Sequence, residues 1–205
     1  MQFAGSVLCK HSIERHLNGA PAVSIDIVGH AIVSADGMIA DNGHRMPAAL
    51  QNDADWRRFQ AALDRSALVV LGRLGHEAHP NPGRKRLVVT SRVAWLERDP
   101  ADDNSMLWNP DGIGFRRVLA GLGITDGTIA VTGGQRVFDL FLPSFTQFDL
   151  VTVAAVTIPD GVPCFSGGRP EAMLAGAGLA LAQTEVLDAG VSLDVWRRQL
   201  LSASG

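Results

Sequence analysis

An α/β chain, with a mostly parallel sheet and an antiparallel hairpin at its end, is the fold class that the residues predict. Two patterns lead to it. Short runs of apolar, β-branched residues alternate with stretches in which apolar residues recur at helical spacing. Near the end of the chain Val191, Leu193 and Val195 alternate with Ser192, Asp194 and Trp196, after the turn signal Asp188-Ala189-Gly190. That in–out alternation is a hairpin with one face buried. Strands alternating with helices require a sheet covered on both faces, a three-layer α/β/α arrangement.

Each element follows in order. Residues 1–20 have no period and read as an N-terminal extension, leaving 21–205 as one domain. Residues 22–34 are rich in Val and Ile, as a buried strand is, and Asp36-Gly37 marks a turn. Residues 39–50 mix Gly, Asn, His and Pro and read as a loop. Asn52, Asp53 and Asp55 supply a cap and first-turn acids for a helix whose apolar positions are Trp56, Phe59 and Leu63. Residues 67–71 form a short buried strand ending at Gly72, and 87–89 a second one ending at Thr90-Ser91-Arg92. Residues 114–122 are helical. Residues 128–132 form a third buried strand, stopped by Gly133-Gly134, and 135–142 a helix closed by Pro143. Residues 149–157 are a further strand before the hairpin.

Composition narrows the function. Of 205 residues, 46% are hydrophobic and 19% charged, an ordinary globular balance that builds a core without staples. A net charge of -3 argues against a general grip on nucleic acid, while leaving room for a local basic pocket. Cys9 and Cys164 stand far apart in no paired motif, which fits a reducing compartment. Charges at Lys10, Glu14 and Arg15 interrupt any apolar leader, and the weakly polar stretch 172–182 is too short to span a bilayer, so a cytoplasmic protein is expected. The absence of tyrosine excludes a tyrosine general acid.

Three strand ends share a chemical theme. Gly72-Arg73, Thr90-Ser91-Arg92 and Thr132-Gly133-Gly134 each follow a buried strand, and ligands of open α/β sheets collect at the carboxyl ends of strands. Alone, a Gly pair after a strand is commonly a tight turn. Between strand and helix it also lets a phosphate approach backbone N–H groups. Arginines with hydroxyls beside them suit a phosphate monoester. A pyrophosphate at Gly133-Gly134 with a second phosphate near Arg73, Ser91 and Arg92 describes NADPH rather than NADH. The G-x-G-x-x-G dinucleotide fingerprint is absent.

The order of motifs resembles dihydrofolate reductase and its relative, the reductase domain of the riboflavin-pathway bifunctional deaminase–reductase. The residues that carry the resemblance are Ser34-Ala35-Asp36-Gly37-Met38-Ile39-Ala40, the acidic helix start, Val70-Leu71-Gly72-Arg73 and Pro82-Gly83-Arg84-Lys85. They continue with Val88-Val89-Thr90-Ser91-Arg92, Thr132 to Phe138 with Phe141-Leu142-Pro143, and Pro159-Asp160-Gly161 leading to Phe165. The resemblance covers residues 24–168. It implies a dihydrofolate-reductase-like fold and an NADPH-dependent reductase of a pterin- or pyrimidine-type heterocycle or ribosylamine. It places Ile39 and Ala40 beside the nicotinamide, and Gly72, Arg73, Thr90, Ser91 and Arg92 around the adenosine and its 2′-phosphate. It puts Thr132, Gly133, Gly134, Gln135, Arg136 and Val137 at the pyrophosphate and ribose. An acid of the first helix faces the substrate beside Phe59, Thr152 supports that acid, and Arg84 clamps a substrate carboxylate. The resemblance is compatible with a homodimer.

The acid is Asp55 or Asp53. Positions two apart on a helix point about 200° apart, so one alone faces the pocket. Asp55 is preferred, because Phe59 follows it by one turn, while Trp56 follows Asp53 at the alternative spacing. Reduction of a C=N bond needs a proton at nitrogen, which a partly buried carboxyl can hold near neutral pH. Gly75 replaces a common phosphate-binding Thr, Ala48 replaces a Trp usual in folate reducers, and the segment between Gly72 and Arg84 is short. These departures lean toward the riboflavin-type branch. His76-Glu77-Ala78-His79 is one residue short of a zinc-binding H-E-x-x-H and reads as a solvated loop. Pro163-Cys164 lacks the second Cys and the H-x-E of a zinc deaminase, and no metal site is expected. A nucleotide-binding or assembly protein without turnover stays open as the other function class.

Overall fold

The computed structural model describes residues 24–79 and 83–199. The extension read over residues 1–20 lies outside them. The strands are β1 (Ile25–Ser34), β2 (Met38–Ala40), β3 (Leu68–Gly72), β4 (Arg86–Val89), β5 (Leu96–Arg98), β6 (Ser105–Trp108), β7 (Gly127–Val131), β8 (Gln147–Val153), β9 (Val162–Pro163), β10 (Leu179–Asp188) and β11 (Val191–Arg198). The helices are α1 (Asp53–Asp64), α2 (Arg73–Ala78), α3 (Phe115–Gly121), α4 (Gln135–Phe141) and α5 (Pro170–Gly176).

One nine-stranded sheet runs in the order β10-β11-β8-β1-β7-β3-β4-β6-β5. Its centre, from β8 to β6, is parallel, and antiparallel pairs flank it at both ends. The parallel strands read as continuous apolar runs because both their faces are covered. On one face Leu63 and Phe59 of α1 pack on Val69 and Ala130. Further along it Leu50 packs with Val151, Val153, Val191, Leu193 and Val195. On the other face the larger core joins Val118, Leu119, Val137, Phe138 and Phe141 of α3 and α4 to Val33, Val70, Ile129, Val131, Phe148 and Leu150.

The chain departs from its sequence reading at several points. Residues 39–50 are not simply a loop: β2 pairs with β9, and a 3-10 turn at Ala48–Leu50 buries Leu50 completely. Strands β5 and β6 and helix α5 carry no strong local pattern, and tertiary pairing and packing create them. Strand β8 starts earlier and stops earlier than 149–157, since the chain turns after Val153 with Val156 N–H donating to the Val153 carbonyl (3.2 Å). His76 and Glu77 lie in helix α2 rather than in a solvated loop. His76 Nε2 meets Asp99 Oδ2 at 2.9 Å, and its Nδ1 lies 3.1 Å from Arg86 Nη1. The described residues contain no cluster of three metal-ligating side chains and no helix long and apolar enough to cross a membrane.

Candidate functional site

Helix α1 begins where Asn52 caps it. The Asn52 Oδ1 accepts from the N–H groups of Ala54 and Asp55, both at 3.0 Å. That cap fixes the direction of the first turn. Asp53 is then exposed, while Asp55 turns toward the sheet with its side chain 13% exposed. Arg58, one turn on, is shared between two carboxylates: its Nη1 donates to Asp149 Oδ2 at 2.7 Å and its Nη2 to Asp55 Oδ1 at 3.4 Å. His30 pairs with Asp149 across β1 and β8, and its Nδ1 lies 3.4 Å from the same Oδ2. Gln147 Nε2 donates to the other oxygen of Asp149 at 2.7 Å. Phe59 sits edge-on to His30 at 5.9 Å, and the exposed Trp56 packs against Phe59 at 6.0 Å.

The two carboxyls respond oppositely to burial. Desolvation raises Asp55 above the usual Asp range, and the long contact with Arg58 only partly offsets it. Asp149 is also desolvated, but His30 and Arg58 bring it down to about 2. The site therefore holds one firmly ionised acid beside one that protonates more readily, the pattern by which neighbouring acids take different tasks.

Three residues read from the sequence lie or act differently. Thr152 pairs with Val33, whose side chain joins the α3–α4 core. Alternate strand residues face opposite ways, so Asp149, Val151 and Val153 lie on the sheet face that α1 covers at Asp149 and Leu50 covers at the two valines, and Thr152 does not. Thr152 therefore does not support Asp55. Arg84 spends its guanidinium within the chain, with Nε and Nη2 on Asp64 Oδ1 (2.9 and 2.6 Å) and Nη1 on Gln60 Oε1 (2.9 Å). It ties α1 to the start of β4 rather than presenting a free carboxylate clamp. The Val137 side chain is buried in the core, and its N–H is taken by the Gly134 carbonyl at 2.9 Å.

The remaining cofactor candidates, Ile39 and Ala40 apart, gather at the carboxyl ends of β3, β4 and β7. The Gly72 N–H donates to the Gly133 carbonyl at 2.8 Å, and the Thr132 N–H to Val70 at 2.9 Å, joining the ends of β3 and β7. The Gly133–Gly134 peptide is cis. Gly133 has φ +100°, and a Cβ there would stand 2.8 Å from the Phe138 ring, whereas nothing lies within 4 Å of a Cβ at Gly134. Among the described residues no backbone carbonyl takes the N–H groups of Gly134, Gln135 or Arg136. Arg73 meets Glu77 at 2.7 Å and Arg92 meets it at 3.5 Å, so two arginines from different elements converge on one carboxylate. Thr90 is buried and accepts from the Arg92 N–H at 3.2 Å, while Ser91 and Arg136 are exposed. Ile39 packs against the large core and Ala40 is buried, both in β2 beside the end of β1.

No family model and no curated protein matches the sequence. Solved structures do. Dihydrofolate reductase from Enterococcus faecalis, complexed with NADP(H) and RAB-propyl, superposes with a TM-score of 0.60 at 18% identity, over 84% of this chain and 96% of that one. A putative riboflavin biosynthesis protein from Shewanella sp. PV-4 gives 0.62 at 18% identity, over 85% and 99%. The chain has the dihydrofolate-reductase fold. A diaminohydroxyphosphoribosylaminopyrimidine deaminase/5-amino-6-(5-phosphoribosylamino)uracil reductase from Thermotoga maritima gives 0.60 at 15% identity, over 85% of this chain and 56% of that one. At these identities the likeness is one of fold.

In this dihydrofolate-reductase-like fold, His30, Arg58 and Asp149 are the polar neighbours of Asp55 that sequence reasoning missed. Asp149 had a local signal, an acid inside the apolar run Phe148-Asp149-Leu150-Val151. His30 and Arg58 had none, because only the pairing of β1 with β8 brings them to it.

Proposed function

We propose that the chain is an NADPH-dependent reductase acting on a pterin- or pyrimidine-type heterocycle or ribosylamine. The observation that carries this reading is the meeting of the Gly133 and Gly72 backbones at 2.8 Å, with Arg73 and Arg92 converging beside them. These residues fit a dinucleotide diphosphate. The open space at Gly134 admits close approach, the N–H groups from Gly134 to Arg136, which no backbone carbonyl among the described residues takes, suit the pyrophosphate, and the arginine pair with Ser91 suits a 2′-phosphate. When bound, the nicotinamide supplies the hydride. Asp55, partly withdrawn from water, holds the proton that the reduced nitrogen needs, and Phe59 and Trp56 offer an aromatic wall for a planar ring.

Thermal shift with NADPH and with NADH tests the reading, since a ligand that binds only the native state raises Tm. The NADPH shift is expected to be the larger, and Arg92→Ala to narrow the difference. No shift with either nucleotide sinks the reading. NADPH oxidation with a dihydropterin or a pyrimidine ribosylamine separates enzyme from binder. Turnover is expected to fall by about 100-fold or more in Asp55→Asn.

A further inference from the structure

Asp55 does not stand alone beneath α1, and among the described residues three charged or titratable groups act on it. From its own helix comes Arg58, from β1 His30 and from β8 Asp149. Arg58 has its side chain 25% exposed and reaches both carboxylates, but unequally, at 2.7 Å to Asp149 and 3.4 Å to Asp55. The imbalance has a cause in the sheet. Asp149 is anchored on its other oxygen by Gln147 at 2.7 Å, and Gln147 in turn accepts from Arg197 Nε at 3.2 Å. His30 stands opposite Asp149 on the neighbouring strand. The β8 carboxylate is thus fixed from several sides, and Arg58 must come to it. Asp55, on the first turn of the helix, receives only the weaker contact.

We propose that Arg58 is a positioning residue which Asp149 draws away from Asp55, so that the Asp55 carboxyl stays free to carry the site's proton. This inference rests on the reading of Asp55 as the substrate-facing acid. A strong charge-assisted bond from an arginine favours the ionised form of an acid, whereas a long one leaves desolvation dominant. Asp149 therefore acts twice in the same direction. It removes a donor from Asp55, and its own negative charge opposes a second one nearby.

Two substitutions move Asp55 in opposite directions. Asp149→Asn releases Arg58 toward Asp55, and the Asp55 titration should drop by about one pH unit. Arg58→Gln removes the remaining cation, and the titration should rise, while Arg58→Lys should keep it near the native value. The readout is the carboxyl 13C shift of Asp55 against pH, assigned by its loss in Asp55→Asn, and it needs neither cofactor nor substrate. Where turnover is measurable, the alkaline limb of its pH profile should move the same way. An Asp55 titration unchanged in folded Asp149→Asn overturns the proposal, as does one unchanged in Arg58→Gln. If Asp149→Asn does not fold, equal titrations in Arg58→Gln and Arg58→Lys overturn it. Shifted titrations in a protein that oxidises no NADPH uphold the positioning role and count against the reductase reading alone.

Discussion

Single carboxyls set the expected pH behaviour. Asp149 falls from an ordinary 3.8 to about 2 on folding. A group depressed in the folded state lends stability above its unfolded pKa and loses it as pH falls through the folded one. Asp149 should therefore contribute on the order of 2 kcal/mol above pH ~4 and nothing below pH ~2. Urea unfolding at a series of pH values should show Asp149→Asn less stable than the parent at neutral pH, with the gap closing in that acid window. Asp55 has the opposite sign. Its raised folded pKa means that ionisation opposes folding, so stability is lost as pH rises through that region. Asp55→Asn should raise Tm at pH 7 while lowering turnover, a trade seen where a site keeps an unfavourable group for its chemistry. A lower Tm in that variant contradicts the desolvation account. Asp55 is partly buried and Asp53 exposed, the direction that the spacing to Phe59 favours. The partners of Asp55 were not legible in the sequence, because they come from β1 and β8.

At the scale of elements, caps and glycines hold the site in shape. Asn52 satisfies two N–H groups of the first turn, one of them that of Asp55 itself. Asn52→Ala should cost about 1 kcal/mol in denaturant unfolding and loosen the orientation of Asp55. Gly133→Ala should cost more, roughly 1–3 kcal/mol. Its φ of +100° disfavours a side chain, and the new Cβ would press on Phe138 at 2.8 Å. Chemical unfolding measures that cost, and NADPH thermal shift should fall with it. Elements with strong local signals were readable: α1 from its cap and period, β3 and β7 from their apolar runs, and the β10–β11 hairpin from its alternation and its Asp188-Ala189-Gly190 turn. β2, β5 and β9 were not, since strands of two or three residues exist only through their partners. Helix α2 was hidden by its Gly and His content, and it forms where His76 reaches Asp99 and Arg86.

Across the whole molecule the two faces of the sheet divide the work. The face under α3 and α4 is a packed aromatic core in which Phe148 touches Phe138, Phe145 and Phe165, with ring centroids 5.4, 5.1 and 5.5 Å apart. A Cβ at Gly29 would run into the Phe148 ring, so that glycine on β1 makes room for it. Phe148→Ala should cost about 3–5 kcal/mol, which for a chain of this size lowers Tm by roughly 10 °C, as calorimetry would show. The face under α1 instead carries His30, Arg58, Asp55 and Asp149, polar groups that a core built for stability alone would exclude. The amino-acid sequence by itself determined the α/β class, the run of buried strands, the glycine and arginine strand ends and the acidic start of α1. Periodicity, turn chemistry and caps act over a few residues, and all of these features are local. Only the tertiary structure decided that Thr152 faces away from Asp55, that Arg84 is bound to Asp64, that Val137 belongs to the core, and that Arg58 stands between two acids. Strand register sets which face a side chain occupies, and register is fixed by pairing between segments far apart in the chain.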